Sequence, residues 1–503
     1  MTARTPVTLG IDIGTGSAKG VLATADGEIL ADARVDLAMR LPRPGWAEMD
    51  AVDDWWGSVV TIARRLTDRL AELGRHELVA MCVSGLGPAL VACTDDLTPA
   101  HPGILYGIDA RAEVEIQEQT AQLGADAVLA RCGKHLSSQA VGPKLAWLRR
   151  HVPAYDPAMR WYSAHSYVVA HLTGRWVLDH HTASQCDPLY DVARQDWARD
   201  WAEQVLPGTP LPELLWPGEE AGRVTAAAAA TTGLPEGLPV MAGTVDAWAE
   251  AFSVGVRRPG DLMLMYGSTM FLVQVLPAPT VDARLWTTSG VVPGSHTLAA
   301  GMSTSGSLTT WLRTLMGDPS FEDLVDEARA VPAGSDGLVL LPYLAGERSP
   351  HYDPDARGVI SGLTLRHTRG HLFRAGYEGI GYGIRQVVDV LSEVAGPPAR
   401  VVAVGGGTQG GLWTQVVSDI CGIEQQVPRV TVGASYGDAL LAATGVGLVP
   451  VGTSWAQVDR VVCPDPAVRA TYDRLYDVYR ELYPATRDLV HTLARLQGDA
   501  AAG

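Results

Sequence analysis

Long apolar runs are missing from this chain. Nowhere do 18 apolar residues follow one another, and no apolar leader precedes the core-like stretch "VTLGIDIG" near the start. A spanning helix and a secretory signal are therefore not expected, and the cytoplasm is the expected location. Paired cysteines are missing too. The six present (Cys82, Cys93, Cys132, Cys186, Cys421, Cys463) are scattered without C-x-x-C spacing, so reduced thiols are expected rather than a zinc site or a disulfide framework. Positive charge is scarce, with 39 Lys and Arg against 56 Asp and Glu and a formal net charge of -17. Without basic stripes the surface suits neither nucleic acid nor an anionic membrane. A nucleotide is not excluded, because backbone amides and one or two cations hold phosphate inside an acidic protein.

What is present describes a large globular enzyme. Of the 503 residues, 47% are hydrophobic and 19% charged, too long a chain for one ordinary core. The opening reads as three strands, "VTLGIDIG", "SAKGVLATAD" and "GEILADARVDL", with Asp26-Gly27 as a hairpin-turn signal. Residues 51–75 and 111–131 carry helical periodicity, and "LVAMCVSGLG" between them is a buried strand. Near residue 240 the pattern restarts with "LPVMAGTVDAWAEAFSVGV" and "DLMLMYGSTMFLVQVL", and "VVAVGGGTQGGLWTQVVSDICG" adds a strand–glycine–helix unit. Two similar halves suggest a duplicated α/β architecture with a ligand cleft between them.

Three glycine-rich loops follow apolar strands. Asp12-Ile13-Gly14-Thr15-Gly16-Ser17 offers converging N–H donors and little side-chain bulk, as a phosphate requires. It has neither the G-x-x-x-x-G-K-[ST] spacing nor G-x-G-x-x-G opening a helix. Asp12, alone in an apolar strand, needs a cation or hydrogen-bond donors, and magnesium is the natural partner. Lys19 adds charge near the phosphates. Tyr266-Gly267-Ser268-Thr269 repeats the same chemistry. Residues 405–411 place five glycines in seven positions, letting backbone approach a flat ligand. Each of these loops also reads as a plain turn. Asp246, between the strand "LPVMA" and a helical run, is either a helix cap or a catalytic group.

The order of these pieces resembles the FGGY carbohydrate kinases over roughly residues 7 to 450. "RPGWAEMDAVDDWW" and "ILYGIDARA" are similar to family segments, and "LPYLAGERSPHYDPDARGVISGL" with "HLFRAGYEG" resembles the family's C-terminal signature. Gly376 departs from that signature, with little effect expected. The resemblance implies an α/β fold of two actin-like (ribonuclease H-like) domains, residues 1–247 binding sugar and 248–503 binding nucleotide, with the cleft between them. It further implies ATP and Mg2+, with Asp246 as proton acceptor and Asp12 positioning the metal. Thr15, Gly16, Ser17 and Lys19 would touch the terminal phosphates. Gly267, Ser268, Thr269 and Gly306 would contact the nucleotide from the second domain, and Gly405, Gly406 and Gly410 would flank adenosine.

Xylulokinases are the nearest in look, which points to a pentulose, D-xylulose first and D-ribulose next. Other ketoses, polyols and sugar acids remain alternatives, as does a non-catalytic ATP-dependent sugar sensor. Where xylulokinases carry a Gln-Met-His-Gly turn, this chain has Leu86-Gly87-Pro88-Ala89, which removes donors and leaves room. Asp109 and Arg111 point to the same side and either bind adjacent hydroxyls or pair with each other. Gln139 takes a substrate position, and Trp248 and Trp286 are candidates for stacking on the sugar. The partners expected are a small sugar and ATP, with a homodimer left open.

Overall fold

The computed structural model describes residues 4–429 and 432–502. The first sheet has six strands: β1 (Thr5–Ile13), β2 (Ser17–Thr24), β3 (Ile29–Asp36), β4 (His76–Gly85), β5 (Glu220–Arg223) and β6 (Pro239–Met241), in the order β5-β6-β4-β1-β2-β3. The second has seven: β7 (Asp261–Tyr266), β8 (Met270–Leu276), β9 (Trp286–Ser289), β10 (His296–Met302), β11 (Arg400–Val404), β12 (Gln425–Pro428) and β13 (Val458–Val462), in the order β9-β10-β8-β7-β11-β12-β13.

The two sheets share one plan. A hairpin (β1/β2 and β7/β8) continues antiparallel on one side, and a parallel strand (β4 and β11) adds to the other. The duplication expected from the sequence is present. Strands buried on both faces read as near-continuous apolar runs, which is why "VTLGIDI" and "DLMLMY" lack clean alternation.

The helices that bear on the site are α1 (Ser58–Leu73), α2 (Glu113–Leu123), α3 (Ala125–Cys132), α4 (Val141–His151), α5 (Asp246–Ser253), α6 (Gly306–Leu315), α7 (Arg369–Ala395), α8 (Leu412–Cys421) and α9 (Ala434–Gly445), of which α2, α3 and α4 pack among themselves between β4 and β5 in the chain. The helical periodicity over 51–75 resolves into a wide turn at Ala51–Gly57 and then α1. The turn opens on Asp50, whose carboxylate accepts from the amides of Val52 and Asp53. Residues 111–131 hold two helices, broken at Gly124 with φ 88°. The division after residue 247 falls inside α5, so a helix joins the two halves there.

One crossing was not legible in the sequence. Helix α9, late in the chain, lies on the first sheet rather than the second. A Cβ on Gly10 of β1 would stand 1.9 Å from Ser435 O and 2.4 Å from Ala439 N, so only glycine admits this backbone contact. Thr8 Oγ1 seals it by donating to Ala439 O at 2.8 Å. All six cysteines are free thiols. No helix among the described residues is long and apolar enough to cross a membrane.

Candidate functional site

Strand register brings the two key carboxylates together. Asp12 near the end of β1 pairs with Ser84 of β4, and Gly85, the last residue of β4, bridges to Val245. Asp246 follows directly and starts α5. Thr244 is held from behind, its hydroxyl donating to Asp179 Oδ1 at 2.9 Å, and Asp179 is bonded in turn to His165 at 2.9 Å. Val245 is the helix cap residue, and Asp246 Oδ1 accepts the Ala247 amide at 2.7 Å.

These groups line a cavity of about 280 Å³. Asp12, Lys19, Asp246 and Glu250 form one wall, and Tyr106, Lys134, Gln139 and Gln185, from the stretch between β4 and β5, form another. Trp286 and Arg348 come from the second half. Burial pushes the Asp246 carboxyl up to about 6, against the pull of the Ala247 amide and the His165 charge. Asp12 is raised well above the ordinary carboxylate range, first by burial and then by the charge of Asp246. Burial and Asp246 likewise lift Glu250 to about 7. Three carboxyls (Asp12, Asp246, Glu250) and three cationic side chains (Lys19, Lys134, Arg348) thus line one cavity, and among the described residues no group of three or more His, Cys, Asp or Glu side chains is gathered closely enough to hold a metal ion by itself.

A second pocket of about 720 Å³ opens in the other half. Gly267, Ser268, Gly306, Gly406 and Gly410 line it together with Tyr377 and Trp413, whose rings stack 5.3 Å apart. Gly306 N–H donates to Gly267 O at 2.9 Å, and a Cβ there would come within 2.7 Å of that oxygen. The glycine keeps β7 and α6 close at the pocket floor. Gly405, with φ 90°, turns the chain against the Tyr266 backbone just behind the pocket. Segment 267–269 borders both spaces, since Ser268 lines the second pocket and Thr269 the first.

The structure places other expected residues elsewhere. Asp109 and Arg111 are not among the residues lining the cavity; the ion-pair alternative matches their geometry. Arg111 grips Asp109 through Nε at 2.9 Å and Nη2 at 2.7 Å, and the Ala47 amide donates to the same carboxylate at 2.7 Å. With both side chains wholly buried, neither is open to a sugar. Arg111 also reaches Glu48 at 2.8 Å and lies over Trp46 at 4.1 Å. Leu86 is fully buried and only Gly87 of its turn lines the cavity. Thr15 and Gly16 lie in the open turn between β1 and β2, and Ser17 starts β2. Trp248 lines the cavity by an edge, for its indole N–H donates to Thr297 Oγ1 at 3.0 Å and its ring lies 3.9 Å from that of His181.

Sequence reasoning missed Tyr106, Lys134, Gln185, Glu250 and Arg348. Three of them lay in runs already singled out, Tyr106 in "ILYGIDARA", Glu250 in "LPVMAGTVDAWAEAFSVGV" and Arg348 in "GERSP". The Arg348 guanidinium rests on Gly301 of β10, where a Cβ would meet it at 2.9 Å, and it donates to Met302 O at 2.8 Å.

Paired sheets of one plan, a carboxylate-lined cavity and an adjoining glycine-lined pocket define a two-lobed phosphotransferase of the actin-like ATPase architecture. The sequence profiles of the FGGY family of carbohydrate kinases match this chain over residues 7–253 (N-terminal domain) and 262–446 (C-terminal domain). The chain belongs to that family, whose members phosphorylate a sugar hydroxyl at the expense of ATP. It is similar to the crystal structure of xylulose kinase from Rhodospirillum rubrum, at 33% identity and a TM-score of 0.89, covering 96% of this chain and all of that one. The xylulose kinase of Lactococcus lactis is 26% identical over 98% of this chain and 99% of that enzyme. The gluconokinase of Bacillus subtilis is also 26% identical, over 88% and 87%.

Proposed function

We propose that this enzyme transfers the γ-phosphoryl group of ATP to the terminal primary hydroxyl of a pentulose, D-xylulose ahead of D-ribulose. The observation that carries the reading is the position of Asp246, in a polar cavity bordered, like the glycine-lined pocket, by segment 267–269. Adenosine belongs in the larger pocket, against Gly406 and Gly410, with the phosphates directed along Ser268 and Thr269 toward Lys19 and the hairpin at Thr15, Gly16 and Ser17. The similarity to xylulose kinases supports the choice of sugar.

Asp246 acts as the base. The Ala247 amide fixes one of its oxygens, leaving the other to take the proton of the attacking hydroxyl. A carboxyl titrating near 6 is ionised at neutral pH yet more basic than an exposed one, which favours proton abstraction. Gln139, Gln185 and Tyr106 supply hydrogen bonds to the hydroxyls that the Leu86–Ala89 turn does not, and Trp286 gives the ring face. Asp12 would hold magnesium, whose charge, when bound, offsets the negative charge of the phosphates. Closure of the halves would exclude water as a competing acceptor.

The sugar-binding half spans residues 1–247 and the nucleotide-binding half 248–503, with α9 returning to the first sheet. The setting that goes with this reading is the cytoplasm, and size-exclusion chromatography would tell monomer from homodimer. The decisive experiment is ADP release across pentuloses, hexuloses, polyols and aldonates. D-xylulose is expected to give the highest kcat/KM. A faster aldonate or polyol would overturn the choice of sugar, and no sugar-dependent release at all would overturn the kinase assignment.

A further inference from the structure

Lys144 lies on α4, which contributes no residue to the lining of the cavity. It is nonetheless tied to two loops that do. The side chain is buried, 1% exposed, and Nζ donates to Leu105 O at 2.8 Å and to Ser138 O at 2.7 Å. Each carbonyl immediately precedes a cavity residue, Tyr106 and Gln139 respectively. The loops also hold each other: Gly107 N–H donates to Ser138 O at 3.3 Å, and Ser138 Oγ donates to Gly107 O at 2.8 Å.

Asp109, whose charge acts on this amine, is occupied by Arg111 and the Ala47 amide. Lys144 therefore meets backbone acceptors rather than a counter-ion. Burial pushes its amine down to about 7. A neutral amine keeps two N–H groups, one for each carbonyl, so the tie survives in either protonation state.

We propose that Lys144 is a positioning residue for the sugar: by clamping the 105–107 and 137–139 loops together, it sets the placement of Tyr106 and Gln139 and so the affinity for substrate. The inference rests on the reading of this cavity as the sugar site. Without the amine, two buried carbonyls lose their donor and the loops are free to part. A displacement of about 1 Å in positioning groups costs up to roughly 100-fold.

Lys144→Met keeps the length of the side chain and removes its donors. Sugar affinity is read from quenching of tryptophan fluorescence, since Trp248 and Trp286 line the cavity, and from KM in the ADP-release assay. The expected result is a rise of about tenfold or more in Kd and KM for D-xylulose, with KM for ATP changed by less than about twofold. Ser138→Ala, which cuts one of the loop ties at a half-buried position, is expected to move sugar KM in the same direction by less, and it keeps the test alive if Lys144→Met does not fold. Unchanged sugar KM in the folded variants, or equal rises in KM for sugar and ATP, would overturn the proposal. A wild-type protein that binds and turns over no sugar would instead overturn the reading of the cavity, and this inference with it.

Discussion

The carboxylate of Asp438, on α9, accepts the hydroxyl hydrogen of Ser84, on β4, at 2.6 Å across 354 residues of chain. The same hydroxyl lies 3.3 Å from Asp12 Oδ1. A residue from the last quarter of the sequence thus braces the strand pair that carries the first carboxylate of the site.

Asp438 is wholly buried, and burial raises its carboxyl well above the ordinary range. A group whose folded value lies above its unfolded one binds more protons in the native state. Its cost to stability is absent at pH below the unfolded value, near 4, and grows as pH rises toward the folded one. Asn cannot ionise and escapes that cost. Asp438→Asn is expected to melt above wild type by a margin that widens as pH rises above about 4. A margin flat with pH would show that the carboxylate is already ionised in the fold.

Asp246→Asn should lower kcat by about 10²-fold or more while leaving sugar binding largely intact. In wild type, kcat/KM is expected to fall as pH drops through about 6, where the base becomes protonated. Steady-state profiles from pH 5 to 8 check both points. An unimpaired Asn variant would remove Asp246 from the mechanism.

Arg111→Met should act on stability. It leaves the carboxylate of Asp109 buried with only amide donors, and breaking such a pair costs about 3–5 kcal/mol. Thermal melting should drop by several degrees. A variant of unchanged melting temperature and raised sugar KM would return Asp109 and Arg111 to the sugar site.

Gly410→Leu tests the nucleotide pocket. A Cβ at this position meets nothing within 4 Å, so the fold accommodates a side chain that projects into the pocket space. KM for ATP is expected to rise roughly tenfold, the equivalent of 1.4 kcal/mol, with sugar affinity unmoved. Titration with ATP and with sugar separately decides it.

The sequence by itself determined the elements and their repetition. Apolar strands ending in Gly, Ser and Thr are set by local rules of burial and turn chemistry, so the two hairpins and the strand before residues 405–411 were legible. The resemblance carried by the residues around 341–363 named the family. Whether Asp246 is a cap or a catalytic group was undecidable locally, because an aspartate at a helix start looks the same in either role. Only the pairing of β1 with β4, and of Gly85 with Val245, brings it to the cavity of Asp12.

Asp109 and Arg111 show the opposite case. Two charged residues two positions apart point the same way whether they meet a sugar or each other, and burial beneath Trp46 decided for each other. Asp438 and Lys144 left no readable signal of position, since Ser84 and Leu105, which they meet, lie 354 and 39 residues away. Local propensity and periodicity extend over a turn or a strand. Contacts across such distances exist only once both sheets and α9 have packed, and they are what places the groups of the site.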